Sequence, residues 1–388
     1  MPTTRRRSSE VLSVVGIALL LIVGGTTGCA SSSALAVVLT PVPASIDTIW
    51  YVSARARVDG RDSRQLSDTL EYGLARYARE RMDDASTSAI KVTLRDSVRL
   101  TRDQFLRAIR ETTLASRSAD PFAVLYVHGF GTSLHEGWQY AAEARIRTRH
   151  DAPWIVFCWP ANGLGVTWPT SDALLTRAYH DDIALALASR SAFVRAAQDV
   201  AGSIGGSRVL LTSHSLGSSV VAEALMYDAA WRATLEQSPL RATAFVAPDV
   251  EWRYFADSVV PAAQRGSRRV ALYTSGRDRV LQMARTVHDS DRAGQTTRVP
   301  LVRDRLETVD ATDGLVAEGW ITARIGTHHA IRRASAALFD LTHVVGDGFT
   351  AECRTTLGTA RRTPEGVWQL NRTRSSADLA SRRCVPFE

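Results

Sequence analysis

Short, wholly apolar runs alternate along this chain with longer segments whose apolar residues recur at helical spacing. The runs within Phe122 to Gly131, Trp154 to Trp159, Val209 to Thr212, Ala242 to Asp249, Arg269 to Asp278 and Leu306 to Val309 read as strands. Their apolarity is nearly unbroken, the mark of strands buried on both faces. Between them, Thr101 to Ala115 carries Phe105, Leu106, Ile109 and Leu114 at helical spacing, and Tyr179 to Val200 and Ala336 to Leu341 read as helices too. Ile46 to Val58 and Ile90 to Arg95 are further strands upstream, and Pro121 parts the first helix from the central strand. The alternation predicts an α/β fold with a mostly parallel central sheet and helices on both faces. No internal repeat or low-complexity tract interrupts it.

The two ends of the chain depart from that pattern. Residues 1–28 begin with Arg5, Arg6 and Arg7, continue with the apolar run Val11 to Val23 and finish in small residues, as a secretory signal does. Thr26-Thr27-Gly28-Cys29 resembles a bacterial lipobox, in which the cysteine after the cleavage point receives lipid; Thr26 stands where leucine is commoner. By the same resemblance, Ala30 after that cysteine implies sorting to an outer membrane, facing the periplasm. Residues 29–45 are then lipidated Cys29 and a spacer of small residues, tethering a domain of residues 46–345 to the bacterial cell envelope. The arginine-rich tail, 346–388, carries Cys353 and Cys384, a candidate disulfide in an oxidising compartment. Cys158 falls within a buried strand.

Composition narrows the function classes. With 45% hydrophobic and 22% charged residues the chain has ample material for a core. Its formal charge of +7 falls to +5 once the leader takes away three arginines and one glutamate. Lys91 is the only lysine, and the arginines are interspersed with acids, which argues against a nucleic-acid binder. No Cys/His spacing suits zinc and no glycine-rich phosphate loop follows a strand, so neither a metal nor a cofactor is expected.

The chemistry begins where Arg208 to Thr212 runs into Ser213-His214-Ser215-Leu216-Gly217. A hydrolytic serine needs its Oγ at the tip of a sharp strand-to-helix turn, and small residues two before and two after it let that turn close. Ser215 is the candidate nucleophile; Ser213 stands where the motif carries glycine, and the plain alternative is a helix-capping serine. Upstream, Tyr126-Val127-His128-Gly129-Phe130 ends another strand. In this geometry the N–H groups of Phe130 and Leu216 are the candidate oxyanion donors, with His128 bracing the loop.

The order of Tyr126 to Phe130, Phe157-Cys158-Trp159-Pro160, Ser213 to Gly217 and Ala247-Pro248-Asp249 resembles the alpha/beta-hydrolase superfamily, and within it a bacterial family of unknown function. The likeness covers roughly residues 48 to 343, a normal length for one such domain. In this fold nucleophile, acid and histidine follow one another along the chain. Asp278, in the glycine-containing loop into which the strand from Arg269 runs, is therefore the candidate acid; Asp249 is the rival, to which the resemblance gives a loop-bracing role. Counting back from the last helix, the resemblance places the base at His328, with adjacent His329 as the alternative; His288 and His343 fit the expected loop less well. The insertion Pro160 to Ser171 follows a strand end, where open α/β sheets bind ligands. The sequence thus predicts a membrane-tethered serine hydrolase of carboxylic esters, acting on a small-molecule or lipid ester. Amide and thioester substrates stay open, as does a non-catalytic binding or scaffolding lipoprotein on the same fold.

Overall fold

A computed structural model describes residues 46–79, 92–163, 172–296, 300–313, 335–371, 384 and 386. The expected leader, Cys29 and the spacer lie outside these residues, as does most of the insertion after Pro160.

The strands are β1 (Ile46–Val58), β2 (Arg61–Arg79), β3 (Val92–Leu100), β4 (Ala123–Val127), β5 (Trp154–Cys158), β6 (Val209–His214), β7 (Ala242–Val246), β8 (Val270–Thr274), β9 (Leu306–Asp310), β10 (Ala360–Arg362) and β11 (Trp368–Leu370). They form one sheet in the order β10-β11-β9-β8-β7-β6-β4-β5-β1-β2-β3. All pairings from β11 through β9 to β1 are parallel; β2, β3 and β10 add antiparallel edges. This is the alpha/beta-hydrolase architecture, and it explains the unbroken apolar runs. Along β4, Ala123, Leu125 and Val127 face one core while Val124 and Tyr126 face the other.

The α-helices among the described residues are α1 (Arg102–Leu114), α2 (Leu134–Thr148), α3 (Asp172–Ala188), α4 (Arg190–Ile204), α5 (Gly217–Tyr227), α6 (Ala229–Gln237), α7 (Trp252–Tyr254), α8 (Val260–Gly266), α9 (Arg279–His288), α10 (Ser335–Phe339) and α11 (Cys353–Leu357). One layer brings Phe105, Phe193, Val220 and Trp231 onto the sheet; the other brings Trp138, Leu281, Leu338 and Leu341. Each such side chain contributes about 1.5–3 kcal/mol by leaving water. The helix expected from Tyr179 to Val200 is two, α3 and α4. Between them the Ser189 hydroxyl donates to the Leu185 carbonyl at 2.7 Å, a back-bond that bends helices.

Two stretches depart from the sequence reading. The β1 strand turns back at Asp59-Gly60, both at positive φ, into the long β2, whose first half is largely exposed and polar. An Asp-Gly pair between strands is a hairpin signal. The second lies beyond residue 345. Trp368 and Gln369 pair with Val309 and Asp310, so the sheet continues through Leu370. The disulfide between Cys353 and Cys384, with Cα atoms 5.2 Å apart, lies in this same region.

Buried charge holds that extension. Arg354 is wholly buried and donates to Asp340 at 2.8 and 2.9 Å and to Glu307 at 2.5 Å. Arg269 grips the same Glu307, and the Tyr273 hydroxyl donates to Asp340 at 2.7 Å. Burial pushes the Glu307 carboxyl up, but the two guanidinium groups outweigh it and hold its pKa below the ordinary value. Among the described residues, no helix is long and apolar enough to cross a membrane. Arg354→Ala leaves two buried carboxylates short of a partner and is expected to cost about 3–5 kcal/mol. Urea unfolding measures this, and a wild-type midpoint would remove the network's assigned role.

Candidate active site

The site is assembled where β4, β5, β6, β7 and β8 deliver their carboxyl ends. Ser215 follows β6 directly and sits at φ 53°, a left-handed conformation that costs a non-glycine residue on the order of 1–3 kcal/mol. Neighbouring backbone holds it there. Its N–H donates to the Val246 carbonyl at 3.0 Å, and its own carbonyl accepts the N–H of Ser218 at 2.9 Å and of Asp249 at 3.2 Å. Ser215 is buried, and among the described residues its Oγ has no hydrogen-bond partner.

The turn closes because two glycines face it. A Cβ on Gly217 would lie 2.3 Å from the His128 carbonyl oxygen, and one on Gly129 would lie 2.9 Å from the Ser215 Cβ. Ser213 fits the position usually held by glycine by pairing its hydroxyl with that of Ser218 at 3.0 Å. Leu216 caps α5, where the first N–H groups of a helix lack intrahelical acceptors.

Across from Ser215, the loop after β4 is braced at several points. The Trp159 indole donates to the His128 carbonyl at 2.7 Å, and the two rings stack with centroids 5.3 Å apart. His128 is fully buried, consistent with a bracing part. Asp182 of α3 accepts the N–H of Gly131 at 2.9 Å and of Asn162 at 2.8 Å. Arg55 of β1 donates to the carbonyls of Thr132 at 2.8 Å and Ala161 at 3.0 Å. One buried anion and one buried cation therefore join the loops after β4 and β5. The Phe130 ring meets Tyr179 edge-on at 5.4 Å.

Sequence reasoning missed Asp182, Arg55, Tyr179 and Arg292. A signal existed for Asp182: it falls on the stripe Leu175, Tyr179, Asp182, Ala186 that α3 buries, putting a carboxylate where apolar residues belong.

Of the two acids, Asp249 has both oxygens engaged, Oδ1 with Arg292 at 2.7 Å and Oδ2 with the Tyr179 hydroxyl at 2.5 Å. That suits the loop-bracing part. Asp278 is buried after β8 and accepts the Leu281 N–H at 2.9 Å, capping α9. His288 lies 3.1 Å from the Tyr179 hydroxyl, its pKa lowered by burial and by Arg292. His343 packs beside Thr148 and Asp347 before β5, at the sheet edge opposite Ser215. His328 and His329 lie outside the described residues.

Fold and site together define an alpha/beta hydrolase. Residues 107–315, more than half of the chain, match the family described as alpha/beta hydrolase of unknown function (DUF900), and the chain belongs to it. Among solved structures, it is similar to a predicted CIB-like hydrolase from Thermoplasma acidophilum, at 12% identity over 76% of this chain and 98% of that one, TM-score 0.29. An arylesterase is similar at 9% identity, over 77% and 83% of the two chains, TM-score 0.30. The carboxylesterase EstE1 from a metagenomic library is similar at 12% identity, over 62% and 98%, TM-score 0.28. No curated protein matches.

Gly217→Ala forces a methyl group against the His128 and Val127 carbonyls, overpacking that costs about 1–3 kcal/mol. Displacing the turn by about 1 Å is expected to lower hydrolase turnover roughly a hundredfold. Initial rates report this, and a wild-type rate would show that the turn tolerates the methyl.

Asp182 yields a pH test. Burial raises its pKa from 3.8 to about 6, against the two backbone N–H groups that lower it. The folded state therefore holds a proton that the unfolded state has already released between about pH 4 and pH 6. In that window stability falls as pH rises, by on the order of 3 kcal/mol from this group. Asp182→Asn is expected to lack that slope, so that the wild-type stability measured relative to the variant falls between about pH 4 and pH 6. An identical pH dependence in both proteins would exclude the assignment.

Proposed function

We propose that this hydrolase is a carboxylesterase working through an acyl-enzyme on Ser215, tethered to the bacterial envelope by lipid on Cys29. The observation that carries the reading is the position of Ser215: at φ 53°, directly after β6, with two glycines closing the turn. A backbone conformation that costs energy and is fixed by three hydrogen bonds suits a nucleophile better than a capping serine.

In this mechanism His328, or its neighbour His329, takes the Ser215 proton as Oγ attacks the ester carbonyl. Asp278 orients the imidazole and stabilises its charged form. The N–H groups of Phe130 and Leu216 donate hydrogen bonds to the developing oxyanion in a site shielded from water, where such donors act most strongly. The histidine then hands its proton to the leaving alcohol, and water attacks the acyl-enzyme to free the acid and restore Ser215.

Treatment of the full chain with a fluorophosphonate probe tests this. Wild type is expected to label, Ser215→Ala not at all, and His328→Ala slowly, by on the order of a thousandfold or more. Labelling that persists unchanged in His328→Ala moves the base to His329. A folded wild type that does not label defeats the catalytic reading and leaves a binding lipoprotein.

A further inference from the structure

We propose that the sheet edge opposite Ser215 is a docking face for anionic phospholipid headgroups, which turns the catalytic edge toward the aqueous side. The inference rests on the tethered reading above and adds to it an orientation and a substrate class.

A groove of about 790 Å³ opens at the amino ends of the parallel strands. Its walls are the segments that lead into β4 (Arg117 to Asp120), β5 (Arg149 to Asp151) and β8 (Arg268 and Arg269), with Arg241 just before β7. Arg117, Arg149 and Arg268 are exposed, and among the described residues none of them has an ion-pair partner. The groove's carboxylates are already engaged. Asp120 accepts from Arg241 at 2.6 Å, and Asp151 from the Ser116 hydroxyl and the Arg117 N–H, both at 2.6 Å. Asp347 contacts His150 at 2.9 Å and His343 at 3.4 Å. What faces solvent is thus an excess of guanidinium, the group best shaped to fork onto a phosphate diester.

The same three residues, His150, His343 and Asp347, could be considered for a metal ion. The Ala152 N–H donates to the His150 Nδ1 at 3.0 Å, so the proton of a neutral ring belongs on Nε2, the atom that meets Asp347. That nitrogen then has no lone pair for a metal. The cluster is better read as a clasp that shapes the groove, and burial notwithstanding, hydrogen bonds from both histidines hold the Asp347 pKa at about 2.

The path of the chain selects the partner. Strand β1 runs parallel to β5, with Trp50 opposite Ile155, so Ile46 enters the domain at the groove's edge of the sheet. Seventeen Cα steps join Cys29 to Ile46, a reach of at most about 60 Å. Such a tether lets either end of the sheet meet the bilayer, and the exposed arginines at the end where the chain enters the domain select that one. Ser215 lies at the far end of β6, about 20 Å across the sheet. Such an enzyme takes esters that arrive from water, and acyl chains packed in its own bilayer are out of reach.

Vesicle flotation of the full chain carrying Cys29→Ala, which removes the lipid attachment, tests the docking face. Phosphatidylcholine vesicles are compared with an equimolar mixture of phosphatidylcholine and phosphatidylglycerol. Each arginine near an anionic surface is worth about fivefold in partition, so Arg117→Glu, Arg149→Glu and Arg268→Glu together should lose about a hundredfold or more on the mixed vesicles. Little change is expected on phosphatidylcholine alone, and soluble-ester hydrolysis should match wild type. Arg5, Arg6 and Arg7 are present in both proteins, so the difference between them reports the groove. Equal partition of both proteins overturns the proposal. Inorganic phosphate binding to the groove without vesicle binding also overturns it, assigning the groove to a soluble anion. The tether is read separately, by fatty-acid labelling of Cys29 in cells: its absence defeats the tethered reading without altering the vesicle result.

Discussion

Everything at the carboxyl edge of this sheet depends on the backbone of the loop after β4 touching the backbone turn after β6. Gly217 lies so close to the His128 carbonyl that no side chain fits between them, and Gly129 meets Ser215 in the same way. This contact fixes the distance between the serine and the loop that bears Phe130. Hydrogen bonds then lock the turn from the third side, since Val246 and Asp249 of the β7 segment hold both ends of the Ser215 peptide unit. The strained φ of Ser215 is thus stabilised by three adjacent strands, and the cost falls on the fold as a whole.

The loops that flank this contact are held by charge where glycine gives them no side chain of their own. Asp182 gathers two backbone donors and Arg55 two backbone acceptors, so that the segments Gly131-Thr132 and Ala161-Asn162 are joined by both kinds of group. Tyr179 links this brace to the next, because its ring meets Phe130 while its hydroxyl donates to the Asp249 that Arg292 also holds. A parallel arrangement at the other end, Arg354 with Asp340 and Glu307, fastens the C-terminal strands. In both places arginine supplies the cation, which its forked geometry suits and a lysine would not match.

The sequence made the central strands and the serine turn legible because their signals are local. An apolar run ending in small residues announces a buried strand and a tight turn together, and β1, β4, β5 and β9 begin within a residue or so of their expected positions. What stayed hidden was set by neighbours distant in the chain. Arg55 has no meaning until Thr132 and Ala161 come beside it, and nothing local announces that Arg292 meets Asp249. The strands β10 and β11 are three residues each, too short for a periodic signal, and gain stability only by adding to β9. The half-polar β2 gave no apolar run, although Asp59-Gly60 marked its turn. The assignment of His328, with His329 beside it, rests on the resemblance and its spacing to the last helix.

The burial of the Asp182 and Arg55 brace has a consequence for how the protein meets its surroundings. Mobile ions screen exposed charges within about 8 to 10 Å at ordinary ionic strength but reach buried ones poorly. Both members of the brace are shut away from solvent, so the geometry around Ser215 should be indifferent to salt. The exposed arginines on the opposite edge enjoy no such shelter. One sheet therefore joins an end that is deaf to ionic strength to an end that listens to it.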